Sequence, residues 1–487
     1  MFLKLNKFVV NDKPEKRGHT YVQWSITVLG ASVLVTIGFL IGWVSPMKKI
    51  LQSDASPTGS PLSDTEVSAI ASTLILTGII GVVFCSYIAE VYGRKTAMLL
   101  IIALQMLCWI IKLVATHVAV IIVARVSAGI GYGGSYVVIP VYIREISQDS
   151  NRGLLVTLIM STQHIGVLAI YAMGSYLNYH TTLWIVLSFT TATFLLMLFI
   201  PESPAFLVKT GKLKEAAKNL ATLRGFPVDD DIVQNEMNCL KDEDARFKSV
   251  ESISIMAIIK NKAWFRGLLI TQLIVCCVAL NGTFGIVTYA WSIMKDAGVA
   301  VSPELQSFIV PILLMFGTIV PLSFVQKANR KTLLAGTFLT SGLAMGCMAS
   351  ALLAQRFGFA VPGWVLVLSI AVAVASYSAG IISVPTVVII EMFRFQVRTK
   401  IMSPICMLTF GLVSIYLAIF DPISNAFGLY TMFFISAGFN LLGAVTVLVW
   451  LPETKGRTVD QIEAMLLGNK VEHAPVDSGG LDNPSYS

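Results

Sequence analysis

Uninterrupted apolar blocks, each near the roughly 20 residues that a helix needs to cross a bilayer, recur along this chain and constrain its fold more than any other feature. They lack the amphipathic striping of surface helices. Charged residues make up 13% of the chain and hydrophobic residues 55%, whereas an average soluble protein carries roughly 25% charge. A soluble core has no room for that much apolar sequence, so spanning helices are the expectation. Twelve are predicted, at 25–44, 67–89, 96–115, 118–142, 154–176 and 182–201, then at 264–291, 304–326, 332–353, 364–390, 401–423 and 427–451. The first block is too long for a signal-peptide core, lacks a small-residue cleavage site and leads into a second span, so it reads as a retained helix.

The expected organisation is a cytoplasmic N-terminus (1–24), an N-terminal six-helix bundle (25–201), a cytoplasmic linker (202–263), a C-terminal six-helix bundle (264–451) and a cytoplasmic tail (452–487). Orientation follows from lysine and arginine, which are in excess on the cytoplasmic side. In this tracing only Lys48, Lys49, Lys112, Lys295 and Arg356 fall at outer ends, so both termini are expected in the cytoplasm. The net charge of +7 then reflects topology, and no basic and aromatic constellation points to nucleic acid. Within the linker, 213–223 has the pattern of a short amphipathic helix. The tail after Gly468 is polar, carries Gly479-Gly480, and is expected to stay disordered. Six of the seven cysteines fall in predicted spans, all but Cys239, without disulfide or metal-ligand spacing. No phosphate-binding glycine loop, metal cluster or nucleophile triad suggests an enzyme or a cofactor.

Charged motifs recur at matching helix ends in the two halves. Arg94-Lys95 answers to Arg330-Lys331, Glu145 to Glu391, and Pro201-Glu202-Ser203 to Pro452-Glu453-Thr454, at offsets of 236, 246 and 251 residues. So small a drift over three pairs implies two related six-helix units. Glycines at 129, 131, 133 and 134 strip one stretch of the fourth span of side chains, so a neighbouring helix can approach closely, either to slide or simply to pack.

Several of these segments resemble the signatures of one family. Arg125, Gly129, Gly131 and Gly133, followed by Pro140-Val141-Tyr142-Ile143-Arg144-Glu145 and Arg152-Gly153, are similar to the fourth-helix signature of sugar porters of the major facilitator superfamily. Pro201-Glu202-Ser203-Pro204 resembles the motif ending the sixth helix, and Pro452-Glu453-Thr454-Lys455-Gly456-Arg457-Thr458 the motif after the twelfth. Tyr289-Ala290 with Ala297-Gly298, and Glu391-Met392-Phe393 with Arg398, extend the match. The resemblance covers about 23–465, and within the family the pattern is most similar to insect facilitated trehalose transporter-like proteins. It implies an all-α membrane protein of twelve helices in two six-helix bundles, the major facilitator fold.

The resemblance also implies roles for residues. Glu90, Arg94, Glu145, Arg152 and Glu202 in the first half, with Arg330, Glu391, Arg398 and Glu453 in the second, correspond to charges that hold the inner side shut; the plainer reading is that they set topology. The substrate positions depart from the family pattern. Met160 stands where sugar porters carry glutamine, Val278 and Ala279 replace a glutamine pair, Phe284 an asparagine, Thr386 a tryptophan, and Thr409-Phe410 an Asn-Trp pair. Sugar hydroxyls stripped of water need partners, and each unpaired polar group costs about 1 to 3 kcal/mol. The polar groups left to line a central site are Gln163, His164, Gln272, Asn281, Thr288, Tyr289, Thr386 and Thr409. Asn281 or Gln272 can equally serve as a helix-to-helix hydrogen bond, and His164 as a structural histidine.

No aspartate or glutamate lies in 25–44, where proton-linked members of the family place an acid, so facilitated diffusion is expected. The expected function is facilitative carriage of a hexose or trehalose-like sugar by alternating access. A carrier of another small organic solute and a non-transporting nutrient receptor remain open beside it. Partners are the bilayer, the substrate and an endocytic adaptor read from Asn483-Pro484-Ser485-Tyr486, which resembles an Asn-Pro-x-Tyr internalisation signal. The expected location is the plasma membrane.

Overall fold

The computed structural model describes residues 21–249, 254–296, 308–319 and 328–467. Every regular element among them is helical, as a chain crossing hydrocarbon requires: only helices and closed barrels satisfy all backbone polar groups internally. Among the described residues, eleven helical stretches are long and apolar enough to span, and Ile309–Thr318 is a further apolar helical stretch within the predicted eighth span.

The first half contains α1 (Tyr21–Gly42), which continues past a bend into α2 (Val44–Leu51), then α3 (Asp64–Val91), α4 (Arg94–Leu113), α5 (Val118–Ile146), α6 (Asp149–Tyr176) and α7 (Tyr179–Met197). Between the halves lie α8 (Pro204–Lys209), α9 (Leu213–Arg224), α10 (Asp231–Ser249) and α11 (Ile255–Lys260). The second half contains α12 (Lys262–Ala279), α13 (Thr283–Asp296), α14 (Ile309–Ile319), α15 (Arg330–Arg356), α16 (Gly363–Ser376), α17 (Val384–Met392), α18 (Phe395–Phe427) and α19 (Leu429–Trp450), and the short α20 (Val459–Leu466) follows.

Close packing of α3 on α5 depends on the glycines. A Cβ on Gly133 would overlap the Gly78 carbonyl, and one on Gly129 would overlap Thr77 Oγ1 and the Leu74 carbonyl. Small residues let two backbones touch, which is the main source of helix association where no water drives it. Contact between the halves runs through α3 on α18, α6 on α14, and α2 on α13.

Two predicted spans are broken. The seventh divides between Ala279 and Thr283, where Gly282 adopts φ +100°. Asn281 caps the new helix start through its Oδ1, which accepts from the Thr283 backbone N–H at 3.1 Å. The tenth passes through a π-helical turn at Tyr377–Ile381 before Val384-Pro385 starts the next helix. Proline fits a first helical turn because its missing N–H would have had no helical partner there.

The segment between the halves is anchored to the first one. Gln23 Nε2 donates to the Leu223 carbonyl at 3.0 Å, and Arg224 both donates to the Ile146 carbonyl at 2.9 Å and pairs with Glu236 at 2.5 Å. Leu207, Val208, Ala216, Leu220, Val233 and Met237 form a small apolar core of its own. The predicted amphipathic helix at 213–223 is α9.

Candidate functional site

Three layers of polar groups sit along the bundle axis. At the end that carries the central segment and the helix after α19, each half builds the same device from the same parts. Arg94 Nη2 reaches Glu145 Oε1 at 2.8 Å and its Nε reaches Oε2 at 3.0 Å, while Glu202 accepts from the Arg94 and Lys95 backbone N–H groups at 2.9 and 3.2 Å. In the second half Arg330 Nη2 meets Glu391 Oε1 at 3.2 Å, and Glu453 accepts from the backbone N–H of Arg330 at 3.0 Å and of Lys331 at 3.2 Å.

The reason is local. Glu202 and Glu453 cap helices whose own preceding residues, Gly93 and Asn329, supply no side-chain cap. A carboxylate there satisfies orphan N–H groups and meets the positive end of the helix dipole. Burial raises the Glu202 carboxyl above its ordinary range, against the lowering effect of bonds from Ser203, Lys95 and Arg94. Thr454 Oγ1 donates to the second oxygen of Glu391 at 2.5 Å, tying the pair to the chain after α19. Arg94–Glu145 and Arg330–Glu391 each lie within one half. Arg398 is half-buried and its Nη1 lies 3.4 Å from the Ile390 carbonyl; Glu90 is exposed and pairs with nothing among the described residues; the Arg152 side chain lies outside the described residues.

At the opposite end the polar groups join the two halves. Lys48 Nζ stands 3.2 Å from both carboxylate oxygens of Asp421 and 3.1 Å from Asp64 Oδ1. Lys48 and Asp421 are each 6% exposed. Ser68 donates to Asp421 at 3.0 Å and shares a 3.1 Å hydrogen bond with the Tyr289 hydroxyl, and Asn425 donates to Asp64 at 2.9 Å. Tyr289 also stacks on Phe420 at 4.5 Å between centroids. Lys48, Asp64 and Ser68 belong to the first half; Tyr289, Asp421 and Asn425 belong to the second.

Sequence reading named Tyr289 alone of this network. Lys48 was counted only for topology, and Asp421 was passed over although it is an acid inside a predicted span, where ionisable groups mark function by default. That placement was the available signal. The pairing across 373 residues was not.

Between these ends lies a less polar layer. Tyr136 donates to Gln163 Oε1 at 2.6 Å, and the rings of Tyr132, Tyr136 and Phe410 meet edge-on or tilted across the halves at 5.1 to 6.2 Å. Gln163 and His164 are 7% exposed on α6. Thr288 is buried, Gln272 half-buried and Thr386 exposed. Thr409 donates to the Ile405 carbonyl of its own helix at 2.8 Å. Asn281 makes helix-to-helix bonds: its Nδ2 donates to Ser341 at 3.0 Å and Asn440 at 2.7 Å, and Asn440 returns a bond to the Asn281 carbonyl at 2.9 Å.

Solved structures share this architecture. The inward-open conformation of the xylose transporter XylE from E. coli matches with a TM-score of 0.75 at 19% identity, over 91% of this chain and 99% of that one. The XylE proton:xylose symporter bound to 6-bromo-6-deoxy-D-glucose matches with a TM-score of 0.69 at 19% identity, over 92% and 99%. The fold is therefore the one these transporters share, the major facilitator fold, consistent with twelve helices in two six-helix bundles; among the described residues eleven candidate spans and the apolar stretch Ile309–Thr318 make it up.

Within that class the chain belongs to the sugar (and other) transporter family, which matches residues 1–466. Among its relatives are the facilitated trehalose transporter Tret1 of Aedes aegypti, 25% identical over 91% of this chain, and the sugar transporter ERD6-like 7 of Arabidopsis thaliana, 28% identical over 95%. The chain spans 55% of the length of the Aedes protein and 97% of the Arabidopsis one.

Proposed function

We propose that this protein is a facilitative carrier of a sugar, a hexose or a trehalose-like disaccharide, that works by alternating access. The observation that carries the reading is the buried Lys48–Asp421 pair joining the halves at one end, set against two matched Arg–Glu pairs at the other that each stay inside one half. A lock joining the halves at one end, and at the other end charge pairs internal to each half, suit rigid halves that rock about a central site.

In this reading the end bearing the termini is cytoplasmic and the structure corresponds to a state shut towards the outside. Glu145 and Glu391 with Arg94 and Arg330 form the inner gate, supported by Glu202 and Glu453 beneath the helix starts. Glu90, Arg152 and Arg398 belong to the same inner charge layer. The plasma membrane is the proposed location, with Asn483-Pro484-Ser485-Tyr486, outside the described residues, presented to an endocytic adaptor.

The proposed substrate groups are Gln163 and His164, with Gln272, Thr288 and Thr386 as further lining candidates. Tyr289 belongs to the outer lock, and Asn281 to the helix break. A second reading, carriage of a less hydroxylated organic solute, is favoured by the Tyr132, Tyr136 and Phe410 rings together with Met160 and Phe284, which offer few partners to a sugar hydroxyl. Uptake of labelled glucose and trehalose against a panel of small organic acids and amines in vesicles holding the purified protein separates the readings. Saturable sugar uptake supports the first, and saturable uptake of another solute alone supports the second.

A further inference from the structure

Beyond the break at Gly282, α13 is kinked a second time. Its backbone leaves helical geometry at Tyr289, with φ −116° and ψ 19°. In a regular helix the Trp291 N–H would donate to the carbonyl four residues back, that of Val287, and close the turn that holds Tyr289. Here both groups have partners in the other half. The Trp291 N–H donates to Ser45 Oγ at 3.2 Å, and the Val287 carbonyl accepts from the Tyr171 hydroxyl. Ser45 lies on α2 and Tyr171 on α6, and they are 2% and 1% exposed.

A helix kinks sharply where a side chain enters its ladder of backbone bonds, and within a membrane the backbone groups so released need partners on neighbouring helices. Two hydroxyls of the first half do both. Proline is absent from α13, and its one glycine, Gly285, sits a full turn before Tyr289, so the inserted hydroxyls account for the kink. The place matters as well. Lys48, one turn along α2 from Ser45, meets Asp421 across the halves, and the Tyr289 hydroxyl meets Ser68.

We infer that Ser45 and Tyr171 are positioning residues that take the place of one helical turn in α13 while the outer end is shut, and hand it back when the halves part. This exchange presupposes the alternating-access reading and adds to it the fate of the backbone. As the first half withdraws, its two hydroxyls leave together, and Val287 and Trp291 pair with each other. Neither backbone group is stranded at membrane depth, where an unpaired one is costly. Opening therefore trades two bonds between the halves for one inside α13. The two hydroxyls also act as one unit. Removing Ser45 Oγ returns the Trp291 N–H to Val287, so the kink is lost and Tyr171 loses its aligned acceptor.

The test is outside labelling of Ser72→Cys by an impermeant maleimide, with Cys239 and Cys347 changed to serine. Ser72 is 8% exposed on α3, and its carbonyl accepts from Ser414 across the halves. The rate is compared in Ser45→Ala, Tyr171→Phe and the double variant. Each single substitution should accelerate labelling about five- to tenfold, the net worth of one hydrogen bond. The double variant should stay within about twofold of either, because coupled groups are not additive. Independent contacts would multiply instead, to about 25- to 100-fold, and that result overturns the exchange. So do single variants that label at the parent's rate. Asp421→Asn, measured alongside, separates this failure from a failure of the outer lock. If Asp421→Asn accelerates labelling and the hydroxyl variants do not, the exchange alone falls; if none of them does, the closed outer end falls with it.

Discussion

Replacing Asp421 by asparagine removes the charge that Lys48 meets across the halves while keeping the side chain's shape. Both partners are 8% exposed at the side chain and lie 3.2 Å apart, so the pair is desolvated and differs from a surface bridge worth only about 0 to 1 kcal/mol. Breaking a buried pair by removing one partner costs roughly 3 to 5 kcal/mol. Here the loss is smaller, because Lys48 keeps Asp64 at 3.1 Å, and Asp64 is 37% exposed at its side chain. We expect about 2 to 3 kcal/mol to be lost from the outward-closed state, a shift of roughly 30- to 150-fold towards opening. Ser72→Cys reports it. Ser72 is 8% exposed on α3, its carbonyl accepting from Ser414 across the halves, so it is reached from outside only when they part. With the exposed Cys239 and Cys347 changed to serine, labelling of Ser72→Cys by an impermeant maleimide should accelerate at least tenfold in Asp421→Asn. A rate within twofold of the parent, in protein that retains its Tm, would refute the lock.

Three further outcomes follow. Asn281→Ala should lower stability by about 1 to 3 kcal/mol, because it strips two interhelical bonds of up to about 1.7 kcal/mol each and uncaps the break, yet leave the apparent KM of transport unchanged; a Tm scan and uptake kinetics on one preparation check this. Gly133→Leu should prevent a folded product at ordinary expression levels, since its side chain has to displace the Gly78 backbone, and monodisperse protein in size-exclusion chromatography would count against it. Tyr486→Ala should slow internalisation in surface labelling, and equal rates would leave the tail motif without a role.

How much of this was legible in the sequence depends on the range of the signal. Apolar blocks gave the spans because the bilayer makes hydrophobic length a local property, readable without partners. The glycines at 129 and 133 announced close packing for the same reason, although their contacts, Thr77 and Gly78, could not be named. Helix breaks were missed at 280–282 and 382–383 because the flanking blocks are apolar enough to read as continuous spans, although Asn281-Gly282 and Pro385 are local breaker signals; the bond from Asn281 to Asn440 was not readable. Glu145 and Glu391 were recognised from their repeat, but their partners, Arg94 and Arg330, are set by how helix starts meet in space. The outer lock was the least legible. Lys48 reads as a loop charge and Asp421 as an isolated acid until folding brings them together.

The central claim is that sugar crosses passively through a site beside Gln163. Counterflow and net uptake of labelled glucose and trehalose in vesicles, for wild type and Gln163→Ala, test it most directly. The account predicts saturable uptake that equilibrates without accumulating, is indifferent to a protonophore, and loses about tenfold in kcat/KM on Gln163→Ala, as removal of one hydrogen-bond partner worth about 1.4 kcal/mol implies. Proton-driven accumulation, or saturable uptake that Gln163→Ala leaves untouched, would contradict it.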